Sequence, residues 1–196
     1  MALEPTFRPA TRADAGPLIV LIDIAGNGLA NQIWLEQAGP GYSALEVGRD
    51  GVRQETGVDS YRNATIAMIG DEVAACMIGG LPGALYDFSR IGEKAAFFQP
   101  VVRLAAQAPG TWYIDVIAGF PEFRGYGLGS KLLVLAASKA EEIGAPGNSL
   151  VVGSWNTGAT RLYERCGFEP AAREPAIFPS SYPQSGDWIL MTRPLR

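Results

Sequence analysis

The chain contains no histidine. That absence excludes a Ser-His or Cys-His dyad and any His-ligated metal within the chain. Proton transfer here must use Asp, Glu, Tyr, Lys, Cys, a terminus or water. Cysteine is nearly absent as well: Cys76 and Cys166 form no framework of pairs, which points to a reducing compartment and a cytoplasmic protein. There is no basic excess. Sixteen Lys and Arg stand against twenty Asp and Glu, giving a net charge of −4. A nucleic-acid partner would call for a basic face, so none is expected. Long apolar runs are missing too. Leu18–Ile22 is cut off by Asp23 and is far too short to span a membrane, and no signal peptide is read at the start.

What is present suits a globular protein with a real core. The 196 residues are 47% hydrophobic, and one domain is the expectation. The chain is organised around Pro121-Glu122-Phe123-Arg124-Gly125-Tyr126-Gly127-Leu128-Gly129-Ser130. Before it, Trp112–Ala118 reads as a buried strand that Pro121 ends. After it, Leu132, Leu133, Leu135, Ala136 and Ala137 read as a helix. Alternating glycines let the backbone approach a ligand and adopt positive φ. The free first-turn amides and the positive dipole end of the following helix make this an anion site, usually for phosphate. A Walker A loop needs Lys directly after its last glycine, but Ser130 intervenes. The dinucleotide fingerprint needs glycine at 130 and an acidic residue about 20 positions on, where Asn148, Ser149 and Leu150 stand.

Elsewhere the pattern is one of alternating helices and strands. Thr6–Arg8 between Pro5 and Pro9 reads as a short edge strand. Thr11-x-x-Asp14 reads as the start of a helix to about Ala25, broken by Asn27-Gly28. A second short helix carries Ile33 and Trp34. Ser43-x-x-Glu46 is a capping box for a third, closed near Gly57. Residues 65–69 and 73–78 around Gly70-Asp71 read as a hairpin whose Cys76 belongs to the core. Ile91–Ala106 reads as partly helical and interrupted at Pro100, within a segment carrying Tyr86, Phe88, Phe97 and Phe98. Ser149–Val152, Ala171–Glu174 and Trp188–Met191 read as strands, and 180–186 as a loop. This order argues for one α/β (α+β) domain with a mixed sheet.

Arg124-x-x-Gly127-x-Gly129 resembles the Arg/Gln-x-x-Gly-x-Gly/Ala signature of the GNAT superfamily of N-acetyltransferases. Pro121-Glu122-Phe123 resembles its usual Pro-Glu-Tyr lead-in. A second stretch, Asn156 to Tyr163-Glu164-Arg165-Cys166-Gly167-Phe168, is similar to the family's Asn-x(6)-Tyr-Glu-x-x-Gly-Phe signature at the right distance. The resemblance covers the chain from about Thr6 onward, with specific motifs in 115–168. It implies a single GNAT-like domain over 1–196, a mixed, mostly antiparallel central sheet with helices on both faces, and an acceptor-site wall or dimer contact at 81–110.

It also implies a reaction: transfer of an acetyl group from acetyl-CoA to a primary amine of a small molecule or peptide, with no metal. The backbone of Arg124, Gly125, Tyr126, Gly127, Leu128, Gly129 and Ser130 would hold the pyrophosphate. Ile117, Ala118 and Gly119 would pair with the pantetheine arm, and an amide there would stabilise the oxyanion. Asn156 caps the next helix and, by the resemblance, meets the carrier. Tyr163 follows on the same helical face. The resemblance makes it the acid for the leaving thiolate; packing alone makes it an amphipathic core tyrosine. Asp115 is a carboxylate inside an apolar strand, where propensity disfavours it. It reads either as the base for the acceptor amine or as an anchor for backbone amides or an Arg. Cys166, at a helix C-terminus, is assigned to packing.

The family's alanine acetyltransferases for ribosomal proteins carry Glu where this chain has Val151, so their acid–base pair does not carry over. A competing reading is a non-catalytic acyl-CoA-binding sensor on the same scaffold, and a third is a phosphate-binding protein of unrelated fold.

Overall fold

The computed structural model describes residues 4–178, 182 and 185–195. In chain order the elements are β1 (Thr6–Pro9), α1 (Ala15–Ala25), α2 (Leu29–Gln37), α3 (Ala44–Val52), β2 (Ala64–Ile69), β3 (Glu72–Gly80), α4 (Pro82–Leu85), α5 (Gln99–Ala105), β4 (Trp112–Gly119), α6 (Leu128–Glu142), β5 (Gly147–Gly153), α7 (Thr157–Arg165), β6 (Glu169–Pro175) and β7 (Asp187–Pro194). The strands are ordered β1-β2-β3-β4-β5-β7-β6 in one sheet. β4 and β5 run parallel, while β1–β2, β2–β3, β5–β7 and β6–β7 are antiparallel. The chain falls into two compact units, residues 1–79 with 115–132, and residues 80–114 with 133–196.

In the first unit, local chemistry sets the helix ends. Ser43 caps α3: its Oγ accepts from the Glu46 amide at 3.2 Å, and the Glu46 carboxylate accepts from the Ser43 amide at 2.8 Å. This reciprocal box satisfies two orphan donors. α3 ends at Val52 with Arg53 as its cap, short of the Gly57 expected from the sequence. The carboxylate of Asp14 accepts from the Thr11 amide at 2.7 Å and takes both Arg8 donors at 2.9 Å. That arrangement holds its carboxyl down at about 2, the Arg8 hydrogen bond being the largest cause. Asn27 and Gly28 both take positive φ, 51° and 90°, and turn the chain from α1 into α2. The core joins Leu18, Leu21, Ile22, Trp34 and Val52 of the helices to Ile66, Cys76 and Ile78 of the hairpin. Each large side chain buried there contributes about 1.5–3 kcal/mol. Gly48 lets α2 and α3 approach: a Cβ there would lie 2.7 Å from the Trp34 ring.

In the second unit, the segment before β4 supplies packing helices. Pro100 does not interrupt a helix; it lies in the first turn of α5, where its missing N–H costs nothing. Val102, Leu104 and Ala105 are fully buried, and Leu104 and Ala108 pack with Leu190 of β7. Arg103 ties α5 to β6 through Glu174 at 2.8 Å. Tyr86 is buried with its ring 6.0 Å from Phe98 and 6.1 Å from Tyr113. Pro170 and Pro175 fall on β6, at the sheet edge where missing donors are tolerated. Of the loop expected at 180–186, residues 180, 181, 183 and 184 lie outside the described residues.

Candidate functional site

The loop between β4 and α6 belongs to the first unit. Val116 and Ala118 of β4, and Phe120 just beyond it, pack into that unit's core. By the alternation of a strand, Asp115, Ile117 and Gly119 face the other way. Asp115 is half-buried. Gly119 sits tightly against β3: a Cβ there would meet the Ala74 carbonyl and the Ala75 side chain at 3.4 Å. The Phe120 amide donates to the Ala74 carbonyl at 2.9 Å, so the ladder carries on to the last residue before Pro121.

Pro121–Phe123 then form a single 3-10 turn. Gly125 and Gly127 take φ of 88° and 69°, with nothing within 4 Å of where a Cβ would stand. Both require glycine for their conformation alone. Gly129 differs from the sequence expectation of three loop glycines. It lies in the first turn of α6, which begins at Leu128, so it is helical backbone. Residues 124–127 are exposed, while Leu128 is buried and anchors the turn. Leu132, Leu133, Ala136 and Ala140 are buried at helical spacing and fix α6 along one face. An exposed glycine turn therefore ends on the N-terminus of a firmly seated helix, whose free amides and dipole favour an anion.

The second motif lies in the second unit. Asn156 is the N-cap of α7: its Oδ1 accepts from the Ala159 amide at 3.2 Å. Among the described residues its Nδ2 makes no hydrogen bond, so capping leaves one donor for another task. Tyr163 is 7% exposed, and its ring meets Phe168 at 5.9 Å. Among the described residues its hydroxyl also makes no hydrogen bond. Burial pushes the phenol above its ordinary range, so it stays protonated and offers a donor throughout the physiological range.

Trp155, next to Asn156, meets Trp188 at 4.7 Å and Phe178 at 5.0 Å. Among the described residues, both buried indole nitrogens have no hydrogen-bond partner. Gly153 leaves room for the Trp155 ring, which would collide with a Cβ there. Sequence reasoning passed over this aromatic group. It also passed over Arg193, which reaches Asn148, Leu133 and Cys166; the one available signal was Asn148, a polar residue beside an apolar strand run. Cys76 is wholly buried, which pushes its thiol up to about 12 and makes it inert. Among the described residues no cluster of His, Cys, Asp or Glu could hold a metal, and no single helix is long and apolar enough to cross a membrane.

Comparison with known proteins agrees with this arrangement. Residues 31–168 match the family described as the Acetyltransferase (GNAT) family. No curated protein matches the sequence. An N-acetyltransferase from Staphylococcus aureus Mu50 shares the fold with a TM-score of 0.69, over 95% of this chain and 99% of its own, at 18% identity. A structure described as an acetyltransferase gives 0.68, over 97% and 100%, at 20% identity. A Bacillus subtilis acetyltransferase in complex with CoA gives 0.55, over 99% of each chain, at 19% identity.

Proposed function

The chain belongs to the Acetyltransferase (GNAT) family, and from that premise we propose that it is an acetyl-CoA-dependent N-acetyltransferase acting on a primary amine of a small molecule or peptide. The observation that carries this reading is the exposed turn Arg124–Gly127, with two glycines at positive φ, leading into the N-terminus of α6. A diphosphate needs amides that it can approach closely, and the open space beside Gly125 and Gly127 suits such an approach. CoA in the Bacillus subtilis neighbour supports the same carrier here.

Each residue then has a task. The backbone from Arg124 to Ser130 holds the pyrophosphate. The backbone of Ile117, Ala118 and Gly119 pairs with the pantetheine arm, and one of its amides faces the thioester carbonyl as charge develops there. Asn156 adds its free Nδ2 to the carrier. Tyr163 donates its hydroxyl to the departing sulfur. A thiolate has pKa of about 8.5 and a free phenol about 10, so a buried phenol lowers the barrier chiefly by hydrogen bonding. Asp115 relays a proton from the acceptor ammonium through a water, since direct abstraction by an ordinary carboxylate is uphill.

The domain extent of 1–196, and the 81–110 segment as acceptor-site wall or homodimer contact, belong to this same proposal. So does a cytoplasmic location. Asp115 and Tyr163 favour an enzyme over an acyl-CoA sensor, which would need neither. The test is turnover of acetyl-CoA against a panel of amines, amino acids and peptides, read as thiol release. Turnover with an amine is the expected result. Tight CoA binding without turnover on any amine would leave the sensor, and no CoA binding would overturn the reading entirely.

A further inference from the structure

Arg193 on β7 is a half-buried guanidinium whose hydrogen bonds, among the described residues, all go to neutral oxygens. It donates to Asn148 Oδ1 at 2.7 Å, to the Leu133 carbonyl at 3.0 Å and to the Cys166 carbonyl at 3.2 Å. Its charge also lies over the Phe168 ring, 4.9 Å from the centroid. Among the described residues no carboxylate pairs with it. Removing a guanidinium from water is costly, and an apolar residue of similar volume often serves stability as well or better. What an apolar residue cannot do is fix three elements in direction. Asn148 is itself fully buried and donates to the Ala136 carbonyl at 2.8 Å. The fork of Arg193 therefore locks β5, α6 and the end of α7 into one geometry.

The end of α7 is where Tyr163 sits. Cys166 is the cap residue of α7, and its carbonyl takes the Arg193 bond. The Phe168 amide donates to the Tyr163 carbonyl at 3.0 Å, and the two rings meet at 5.9 Å. α7 is thus held at its start by Asn156 and at its end by Arg193. We propose that Arg193 is a positioning residue for Tyr163, aiming the phenol hydroxyl through the Phe168 ring and the Cys166 carbonyl without touching substrate. This rests on the reading of Tyr163 given above. Lys at 193 would keep the charge but lose the fork, and Met would keep most of the volume alone.

The test separates aim from stability. In protein labelled with 3-fluorotyrosine, the Tyr163 fluorine resonance is assigned by its loss in Tyr163→Phe. Folded Arg193→Met should shift or split that resonance, with Arg193→Lys between the two. In turnover, Arg193→Met should lower kcat about tenfold with KM for acetyl-CoA held within about twofold, and should cost nothing further in a Tyr163→Phe background. A Tyr163 resonance unmoved in folded Arg193→Met overturns the inference, whatever the turnover. An equal kcat loss in the Tyr163→Phe background overturns it as well. A resonance that moves in a protein without turnover upholds the coupling and instead sinks the enzymatic reading of the site.

Discussion

Replacing Gly127 with Val probes the carrier loop with little else disturbed. Gly127 holds φ of 69°, and nothing lies within 4 Å of its missing Cβ. No packing clash follows, so the cost to the free protein is conformational. Keeping an L-residue in the left-handed region costs about 1–2 kcal/mol, more for a β-branched one. The turn is exposed and can relax to negative φ, which caps the loss near that figure. Relaxation re-aims the amides that follow, and the isopropyl group blocks the approach of a diphosphate. A hundredfold loss of CoA affinity, about 2.7 kcal/mol, is the expected outcome. At a hundredfold excess over the wild-type Kd, CoA stabilises the native state by ~2.7 kcal/mol; at the same concentration the variant gains only about 0.4 kcal/mol. For a chain of this length each kcal/mol is roughly 2–4 °C. A CoA-induced rise of roughly 5–11 °C should therefore shrink to about 1 °C, with titration calorimetry giving Kd directly. Gly51→Ala is the control. Gly51 lies in α3 with open space and ordinary φ, so the change should stabilise the helix by about 1 kcal/mol and leave CoA affinity unchanged. A folded Gly127→Val protein with wild-type CoA affinity would refute the carrier-loop assignment.

Four further outcomes are expected. Tyr163→Phe should lower kcat roughly 10²-fold while CoA still binds; a kcat within about twofold of wild type would reduce Tyr163 to packing. Asp115→Asn should lower kcat/KM, with a deficit that shrinks as assay pH rises and supplies free amine; a wild-type rate across about pH 6–9 would assign the base to water or another carboxylate. Asp14→Asn tests the Arg8 pair at 2.9 Å. The Asp14 carboxyl is depressed from 3.8 to about 2, so its contribution is present above the unfolded value and is lost as pH falls from about 4 to 2. Discounted for a half-exposed Arg8, it is about 1–2 kcal/mol at neutral pH, and chemical denaturation of both proteins at pH 7 and pH 2.5 should show the gap closing. Gly48→Ala should cost about 1–3 kcal/mol by overpacking, because the new methyl meets the Trp34 ring; an unchanged Tm would mean that α2 slides away freely.

Features that depend on close neighbours in the chain were legible in the residues themselves. Ser43 and Glu46 complete their box across a single helical turn, and Asn156 caps α7 in the same way. The glycine turn before α6 was readable because positive φ at 125 and 127 is a property of the local backbone. Pro121 stopped β4 for a local reason too. Local rules failed where one residue serves opposite purposes: Pro100 both breaks helices and begins them, and only the packing of Val102, Leu104 and Ala105 selected the second role. Tertiary structure alone decided the rest. Arg103 meets Glu174, and Arg193 meets Asn148, Leu133 and Cys166, across long stretches of chain. Trp155 meets Trp188 for the same reason, that β7 lies between β5 and β6. Propensity and capping energies act over about a turn, whereas strand order is set by how the whole apolar surface is buried. A side chain's distant partners therefore exist only once the sheet has formed.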